Sequence, residues 1–420
     1  MSIYYTDLHI HSQYSRGTSG NMNIREIAKY AKIKGLGLVG TGDFSHPLWF
    51  SELRNHLKPT ADGIYECGGM RFLLSNEISL IYTQDGRTRK VHNIILAPNF
   101  DVAAEITEWL KRKGRVDYDG RPIFNLNCPE FVEGLMDIDK KIEIIPAHIW
   151  TPHFGALGAS SGFNSVEECF GDQHKHIHAL ETGLSSDPAM NWRISSLDRY
   201  SLVSFSDSHS AWPWRLGREA TVFDLKELSF NNVIDALRTN NIKETVEFFP
   251  EAGKYHLDGH RDCRTRLEPR ESVKIKNICP VCRRKLTIGV LHRVEELADR
   301  PEGFIPKGAI PFKRLLPLTE IISTALGIEQ LYSKKIWEIY DKLVGAFGSE
   351  FDVLLSADNV AMEKVTSPQI AELILSVREG KIQISPGYDG VYGKLLLKGK
   401  AAAESTNPQS SLMSFIKATD

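Results

Sequence analysis

Long apolar runs are missing from this 420-residue chain. No stretch of about 18 consecutive apolar residues occurs, so a helical membrane span is not expected. The opening Met1-Ser2-Ile3-Tyr4-Tyr5-Thr6-Asp7 has no basic region leading into an apolar one, so no secretory leader is expected either. Cysteine is scarce, at six residues, too few for a disulfide framework. Cys67, Cys128 and Cys169 are scattered and read as small core residues, whereas Cys263, Cys279 and Cys282 cluster near a histidine. A cytoplasmic protein is the default expectation. A surplus of one charge sign is also lacking: 51 Lys and Arg stand against 53 Asp and Glu, for a net charge of −2. Taken whole, that weakly disfavours a nucleic-acid binder. Apolar material is ample at 42%, which excludes a wholly disordered chain.

Histidine is unevenly placed, with 11 of the 14 at or before His209. Over residues 1–249, short apolar runs alternate with helix-like segments. The runs fall at 36–40, 71–75, 91–96, 142–146, 179–182 and 202–206. Helices are predicted at 24–34, with Asn23 as N-cap, and at 102–113. This alternation predicts an α/β barrel or a doubly wound sheet. Residues 250–295 are polar and cysteine-bearing and form a separate small module. Residues 296–397 read as amphipathic helices, with Ser367-Pro368 opening the last in N-cap and N1 fashion. The tail 398–420 is expected to lack fixed structure.

The strongest local signal is Asp7-Leu8-His9-Ile10-His11-Ser12. On a strand, Asp7, His9 and His11 share one face while Leu8 and Ile10 point into packing. Two imidazoles at i and i+2 can chelate one divalent ion. Similar groups recur at later strand ends: Gly42-Asp43-Phe44-Ser45-His46, Asn76-Glu77, His92, Pro146-Ala147-His148 and Ser206-Asp207-Ser208-His209. Strand ends on one face of an α/β barrel converge, so these residues can meet in space. Mixed His and carboxylate donors suit Zn, Mn or Fe. Ions about 4 Å apart can activate water and clamp a phosphate, which points to phosphoester hydrolysis without a Ser or Cys nucleophile.

These residues resemble the PHP (polymerase and histidinol phosphatase) superfamily. The resemblance implies a distorted (β/α)7 barrel holding two or three divalent ions (Zn, Mn or Mg). It also implies the metal roles: His9 and His11 with Glu77 and Asp207 on one ion, Glu77 bridging to a second held by His92 and His148, and His46 and His209 on a third. Asp207, Glu77, His9 and His11 are the implied catalytic residues. The acidic residue many members carry soon after His-x-His is missing from residues 12–18, which leaves Asp43 and His153 as reserve candidates. The cluster His174-Lys175-His176-Ile177-His178 precedes a strand instead of ending one, and reads as a solvated segment or pocket rim.

Downstream, His260 and Cys263 are followed after 15 residues by Cys279-Pro280-Val281-Cys282. Two short chelating pairs across a modest loop form a structural zinc knuckle. His256 competes with His260 as the fourth ligand, and Asp258 is an outside candidate. Residues 254–293 carry 11 Lys and Arg against 4 Asp and Glu, a local +7 that includes Arg283, Arg284 and Lys285 and suits backbone phosphates. Further on, Pro386-Gly387-Tyr388-Asp389-Gly390-Val391-Tyr392-Gly393-Lys394 is rich in turn residues. Tyr388 and Tyr392 can stack on bases, and Gly387, Gly390 and Lys394 can approach a DNA backbone. Packing of the tyrosines on the helical region is the plainer alternative.

The order of these modules resembles the endonuclease Q family over nearly the whole chain to Leu397. The resemblance implies nicking of double-stranded DNA 5′ to deaminated bases (uracil, hypoxanthine, xanthine) or at abasic sites, alongside replication or repair proteins. A flipped base would then be read between the domains, with the glycine-rich stretch near Tyr388 as one source of N–H donors. Two rivals remain: a PHP-type phosphatase of small monoesters and a non-catalytic nucleic-acid-binding protein.

Overall fold

The computed structural model describes residues 2–397; the tail from Lys398 lies outside the described residues. Each apolar run named above becomes a strand. These are β2 (Leu38–Gly40), β3 (Met70–Gln84), β4 (Arg87–Ala97), β5 (Glu143–Pro146), β6 (Ala179–Glu181) and β7 (Ser201–Val203), preceded by β1 (Ser2–Asp7). β1, β2 and β3 pair in parallel. β3 and β4 form an antiparallel hairpin, and β5 runs antiparallel to β4. A parallel bridge from Ile144 to Ile177 links β5 to the residues entering β6, and β6 pairs in parallel with β7. Beyond β7 the chain bridges Ile10 through Ser208, where the His11 N–H donates to the Ser208 carbonyl at 2.9 Å. The seven strands thus close a ring, and the reversed direction of β4 distorts it.

Periodicity accounts for the packing. Leu8 and Ile10 are buried in apolar clusters, leaving His9 and His11 to face inward together. The helix Ile24–Lys34 is capped by Asn23, whose side chain accepts the N–H groups of Arg25 and Glu26. The helix predicted at 102–113 begins slightly earlier, at Phe100, because Asn99 caps it.

Two antiparallel strands, β8 (Ala220–Leu225) and β9 (Glu244–Phe248), extend the sheet from β1. A small hairpin of β10 (Asp258–His260) and β11 (Thr265–Leu267) follows. The region read as helical contains the helices Leu318–Leu326, Lys334–Phe347, Glu350–Leu355, Asn359–Glu363 and Pro368–Arg378, the last capped by Ser367. It also supplies β12 (Phe312–Leu315), which pairs in parallel with β9, and a ribbon of β13 (Gln383–Ser385) and β14 (Lys394–Leu396). Four alternating residues, Phe312-Lys313-Arg314-Leu315, are too short a signal to stand out beside longer helical periods. A buried ion pair, Lys34 Nζ to Glu350 Oε1 at 2.7 Å, joins the first helix to this region. Glu350 also accepts from the Leu318 N–H and the Tyr340 hydroxyl, so its charge is fully partnered. No described helix is long and apolar enough to cross a membrane.

Candidate active site

Side chains from all seven ring strands, or from the residues just beyond them, meet at one end. His9 and His11 follow β1, Asp43 and His46 follow β2, and His148 follows β5. Glu181 ends β6, and Asp207 and His209 follow β7. Glu77 and His92 lie within β3 and β4 instead of at strand ends, because the hairpin runs on to a turn at Asp85 and Gly86, both at positive φ. Asp43, His148 and Asp207 also adopt positive φ (51°, 30° and 46°). Such conformations are uncommon outside glycine, and here they aim side chains inward at strand ends.

Two donor groups result. His9, His11, Glu77 and Asp207 each place a ligand atom within 4.8 Å of the others, and Glu77, His92 and His148 do the same. Glu77 belongs to both. His11 Nε2 lies 3.1 Å from Asp207 Oδ1 and 3.3 Å from Glu77 Oε2. His9 Nε2 lies 3.5 Å from Glu77 Oε1, and His92 Nδ1 lies 2.7 Å from the same oxygen. Yet His9 Nε2 and Glu77 Oε1 are buried without a hydrogen-bond partner. Lone pairs that converge but do not bond are what a cation would satisfy.

The far sides of the imidazoles are fixed. His9 Nδ1 is held by Glu181 at 2.9 Å, and His11 Nδ1 by Asp43 at 3.0 Å. Glu181 also accepts the His148 N–H, while His148 Nδ1 meets Thr151 Oγ1 at 2.7 Å. Carboxylate-backed imidazoles keep their other nitrogen turned toward a ligand. Burial disfavours the charged form of His9, but Glu181 and Glu77 still raise it well above its ordinary value; Asp43 and Asp207 do the same for His11. The centre therefore carries an excess of negative charge. Burial opposes ionisation of Glu77, but His92, Arg121 and His9 hold its carboxyl well below the usual range. His92 and His209 are pushed down to about 4, first by burial.

The reserve candidates resolve differently. Asp43 accepts from Ser12 and Ser15 as well as from His11, and so stands behind a donor instead of among the donors. His153 is exposed. The His209 ring centre lies 4.4 Å from that of His11, tilted by 52°, and His209 approaches Asp207 at 3.6 Å. His46 stacks on Tyr14 at 4.6 Å with its Nδ1 buried and unpartnered, outside both donor groups. His178 pairs with Glu143 at 3.0 Å, at the strand-start end of the ring. Sequence reasoning missed Glu181 and Arg121, whose Nη1 lies 3.2 Å from Glu77 Oε2. A carboxylate inside the buried run Ala179-Leu180-Glu181-Thr182 was the available signal for the first; the second had none.

In the knuckle, His260, Cys263, Cys279 and Cys282 bring their ligand atoms within 4.8 Å of one another. His256 is not part of this group, and Asp258 is spent on the Gly289 N–H and on His292 Nδ1, both at 2.6 Å. Burial disfavours the Cys279 thiolate, but the Thr265 hydroxyl and the N–H groups of Cys282 and Val281 bring it down to about 7. Three thiols and an imidazole fit a closed, fold-holding zinc site. At the knuckle tip, Arg283, Arg284 and Lys285 are exposed beside Val281.

The glycine-rich stretch differs from its expected role. The N–H groups of Gly387, Gly390 and Gly393 donate to the carbonyls of Glu251, Lys254 and Ala252. Gly387 and Gly390 are therefore not free donors for a base; they let two backbones pack closely. The Tyr388 ring packs over Gly259, and Lys394 pairs with exposed Glu329 at 3.6 Å. Tyr392 enters a cavity of about 330 Å³ that Asp207, His209 and His148 also line.

Residues 317–381 match the family model of the MJ0043 C-terminal domain. The uncharacterised protein MJ0043 of Methanocaldococcus jannaschii is 35% identical over 243 residues, 56% of this chain but 30% of that protein's length. YqxK of Bacillus subtilis is 26% identical over 417 residues, covering 94% of this chain and all of that protein. Among solved structures, the lesion-specific endonuclease PfuEndoQ from Pyrococcus furiosus is 34% identical, with a TM-score of 0.85 over 97% of this chain and 99% of that one. Endonuclease Q bound to a 27-mer duplex with an abasic lesion at the active site is also 34% identical, with a TM-score of 0.86 over 97% of this chain and 100% of that one.

Proposed function

The chain belongs to the endonuclease Q family, and from that premise we propose that it is a metal-dependent enzyme that nicks duplex DNA 5′ to deaminated bases (uracil, hypoxanthine, xanthine) or at abasic sites. It is a phosphodiester hydrolase. The observation that carries the metal dependence is the pair of donor groups sharing Glu77, with His9 Nε2 and Glu77 Oε1 buried and unpartnered. Divalent ions held by His9, His11, Glu77 and Asp207, and by Glu77, His92 and His148, would supply Lewis acidity for water activation and for charge developing on the phosphate.

The chain's own residues do the rest. Glu181 and Asp43 lock the tautomers of His9 and His11 so that both Nε2 lone pairs face Glu77 and Asp207. Arg121 pairs with Glu77 and helps to keep the shared carboxylate ionised. The cavity beside Asp207 gives an unstacked lesion a place to lie, at an extrusion cost of a few kcal/mol. The zinc knuckle presents Arg283, Arg284 and Lys285 to the duplex.

The test uses the full chain with Mg or Mn and end-labelled duplexes carrying one uracil, one hypoxanthine, one abasic site or no lesion. Cleavage on the 5′ side of each lesion is expected, with the undamaged duplex intact and EDTA abolishing activity. Undiminished cleavage after EDTA and metal removal would overturn the metal role. Equal cutting of the undamaged duplex would overturn the lesion reading.

A further inference from the structure

One wall of the active-site cavity carries a cluster of cations without ion-pair partners among the described residues. Arg215 and Arg218 follow Asp207 in the connection between β7 and β8, and with Lys254 and Tyr392 they line the cavity of about 330 Å³. Tyr392 Oη accepts from Arg218 Nη1 at 3.2 Å and from Arg215 Nη1 at 3.4 Å. Arg218 Nε and Nη2 donate to the Ser206 carbonyl, at 3.2 and 3.1 Å. The Arg215 guanidinium lies 5.0 Å from the centre of the Tyr392 ring and Lys254 Nζ 5.1 Å from it. Among the described residues, none of the three cations has a carboxylate at ion-pair distance; Glu320, Glu219 and Asp207 act on the arginines only from farther off. Arg121 makes the contrast, because its charge is met by Glu77.

Buried guanidiniums normally come with a counter-charge, since desolvating them alone is costly. The phenol is a weak substitute. Burial should push it up, yet Arg218, Arg215 and Lys254 draw it down to about 8, a sign of how positive the wall is. The arrangement is also built. Gly387 and Gly393 bond to the backbone at Glu251 and Ala252 and hold the Tyr392 loop against the segment bearing Lys254.

We infer that Arg215, Arg218, Lys254 and Tyr392 form a seat for a backbone phosphodiester of the bound strand, next to the one that is cut. This rests on the DNA-endonuclease reading and names a second contact within its site. Tyr392 keeps the guanidinium edges turned to the cavity, so it is a positioning residue; Arg215 and Lys254 contact the phosphate. Arg218, tied to the Ser206 carbonyl beside Asp207, sets the seat's distance from the metal donors. A flipped nucleotide would then be fixed by two phosphates, the seated one and the reacting one.

The test scans single methylphosphonate linkages, which are neutral, through a fluorescently labelled abasic-site duplex. Binding of the full chain is read by anisotropy in EDTA, and nicking is read in parallel with Mn. One linkage beside the lesion should weaken binding by wild type about tenfold. The same linkage should cost Arg215→Gln and Lys254→Gln each only about threefold, because one of the two charges it pairs with is gone. Tyr392→Phe should keep part of the coupling. Melting curves check that each variant folds, and half-buried Lys254 serves if Arg215→Gln does not. If every linkage costs wild type and both charge variants alike, the seat is wrong, even if nicking is normal. If coupling appears but nothing is nicked, the seat stands and the enzymatic reading falls. Failure of the wild type to bind the duplex overturns both.

Discussion

Glu181 touches no reacting atom in the proposed chemistry, yet it bonds two of the residues that would. It fixes His9 Nδ1 at 2.9 Å and the backbone N–H of His148 at 2.6 Å. Glu181→Gln keeps the shape but removes the charge that sets the His9 tautomer, and should lower metal affinity or nicking about 10- to 100-fold. Metal titration followed by calorimetry separates that effect from a weakening of DNA binding; unchanged metal affinity and rate would refute the orienting role. Asp207→Asn acts on a donor itself. Nicking should fall by more than about 100-fold with duplex affinity largely kept, and a folded variant that loses both together would remove Asp207 from the donor role. The donors were legible because i, i+2 spacing and strand-end position are local patterns, as in His9-Ile10-His11 and Asp207-Ser208-His209. Glu181 was not, because its meaning lies in His9, 172 residues away in sequence. Arg121 sits in a loop whose path no periodicity predicts. Asp43 was legible as an acid near the site, but nothing short of geometry could turn it from a donor into the partner of His11.

Strands are the elements that sequence patterns located best, since a buried parallel strand is a continuous apolar run. Where a run becomes amphipathic the pattern stops short: the apolar signal marks β3 only over 71–75, because Asn76, Glu77 and Ser79 interrupt the apolar residues that follow. Ser75 to Gln84 all pair with β4, and so the hairpin carries Glu77 and His92 at mid-strand. Two later strands bury a different kind of group. Glu219 precedes β8 and Glu247 lies on β9, and both carboxyls are buried and raised, Glu247 to about 8, first by desolvation. Glu219 Oε2 is unpartnered. A carboxyl raised in the folded state binds its proton more tightly there than in the unfolded chain. The stability it confers is complete below its ordinary value and declines as pH climbs through about 8. Glu219→Gln should therefore raise stability at pH 8 by more than about 1 kcal/mol and leave it nearly unchanged at pH 4. Denaturant unfolding at the two pH values checks this, and an equal effect at both would show that titration is not the cause. The knuckle is an element held by its ion. Cys279→Ser should remove one zinc per chain and destabilise the fold by about 3 kcal/mol or more. Full zinc content with unchanged melting would exclude a structural site.

At the scale of the molecule, the charge of −2 is a sum over unlike parts: residues 254–293 carry +7, and the rest of the chain −9. The structure divides the basic share further. Arg266 is spent on Ser385 and the Pro386 carbonyl, and Arg293 on the carbonyls of Leu157 and Phe163, so these two brace neighbouring segments. Lys254 faces the cavity. Arg283, Arg284 and Lys285 are exposed at the knuckle tip without an ion-pair partner among the described residues, as are Arg264, Arg270, Lys274 and Lys276, and all seven are free to meet a duplex. The buried Lys34–Glu350 pair and the β9–β12 pairing tie the C-terminal region to the ring, and Arg293, through the Leu157 and Phe163 carbonyls, ties the segment after the knuckle to it. Each phosphate that the protein ceases to neutralise should lessen the slope of log affinity against log salt by about 0.9. Replacing Arg283, Arg284 and Lys285 with Gln together should lessen it by about 2 to 3, with the nicking rate at saturating DNA unchanged because the metal donors are untouched. Anisotropy over a salt series gives the slope, and single-turnover assays give the rate. An unchanged slope would move the duplex off the knuckle tip and leave the other exposed cations of the module and those of the cavity as its electrostatic hold; a lower saturating rate would mean that the tip helps to place the lesion as well as to grip the strand.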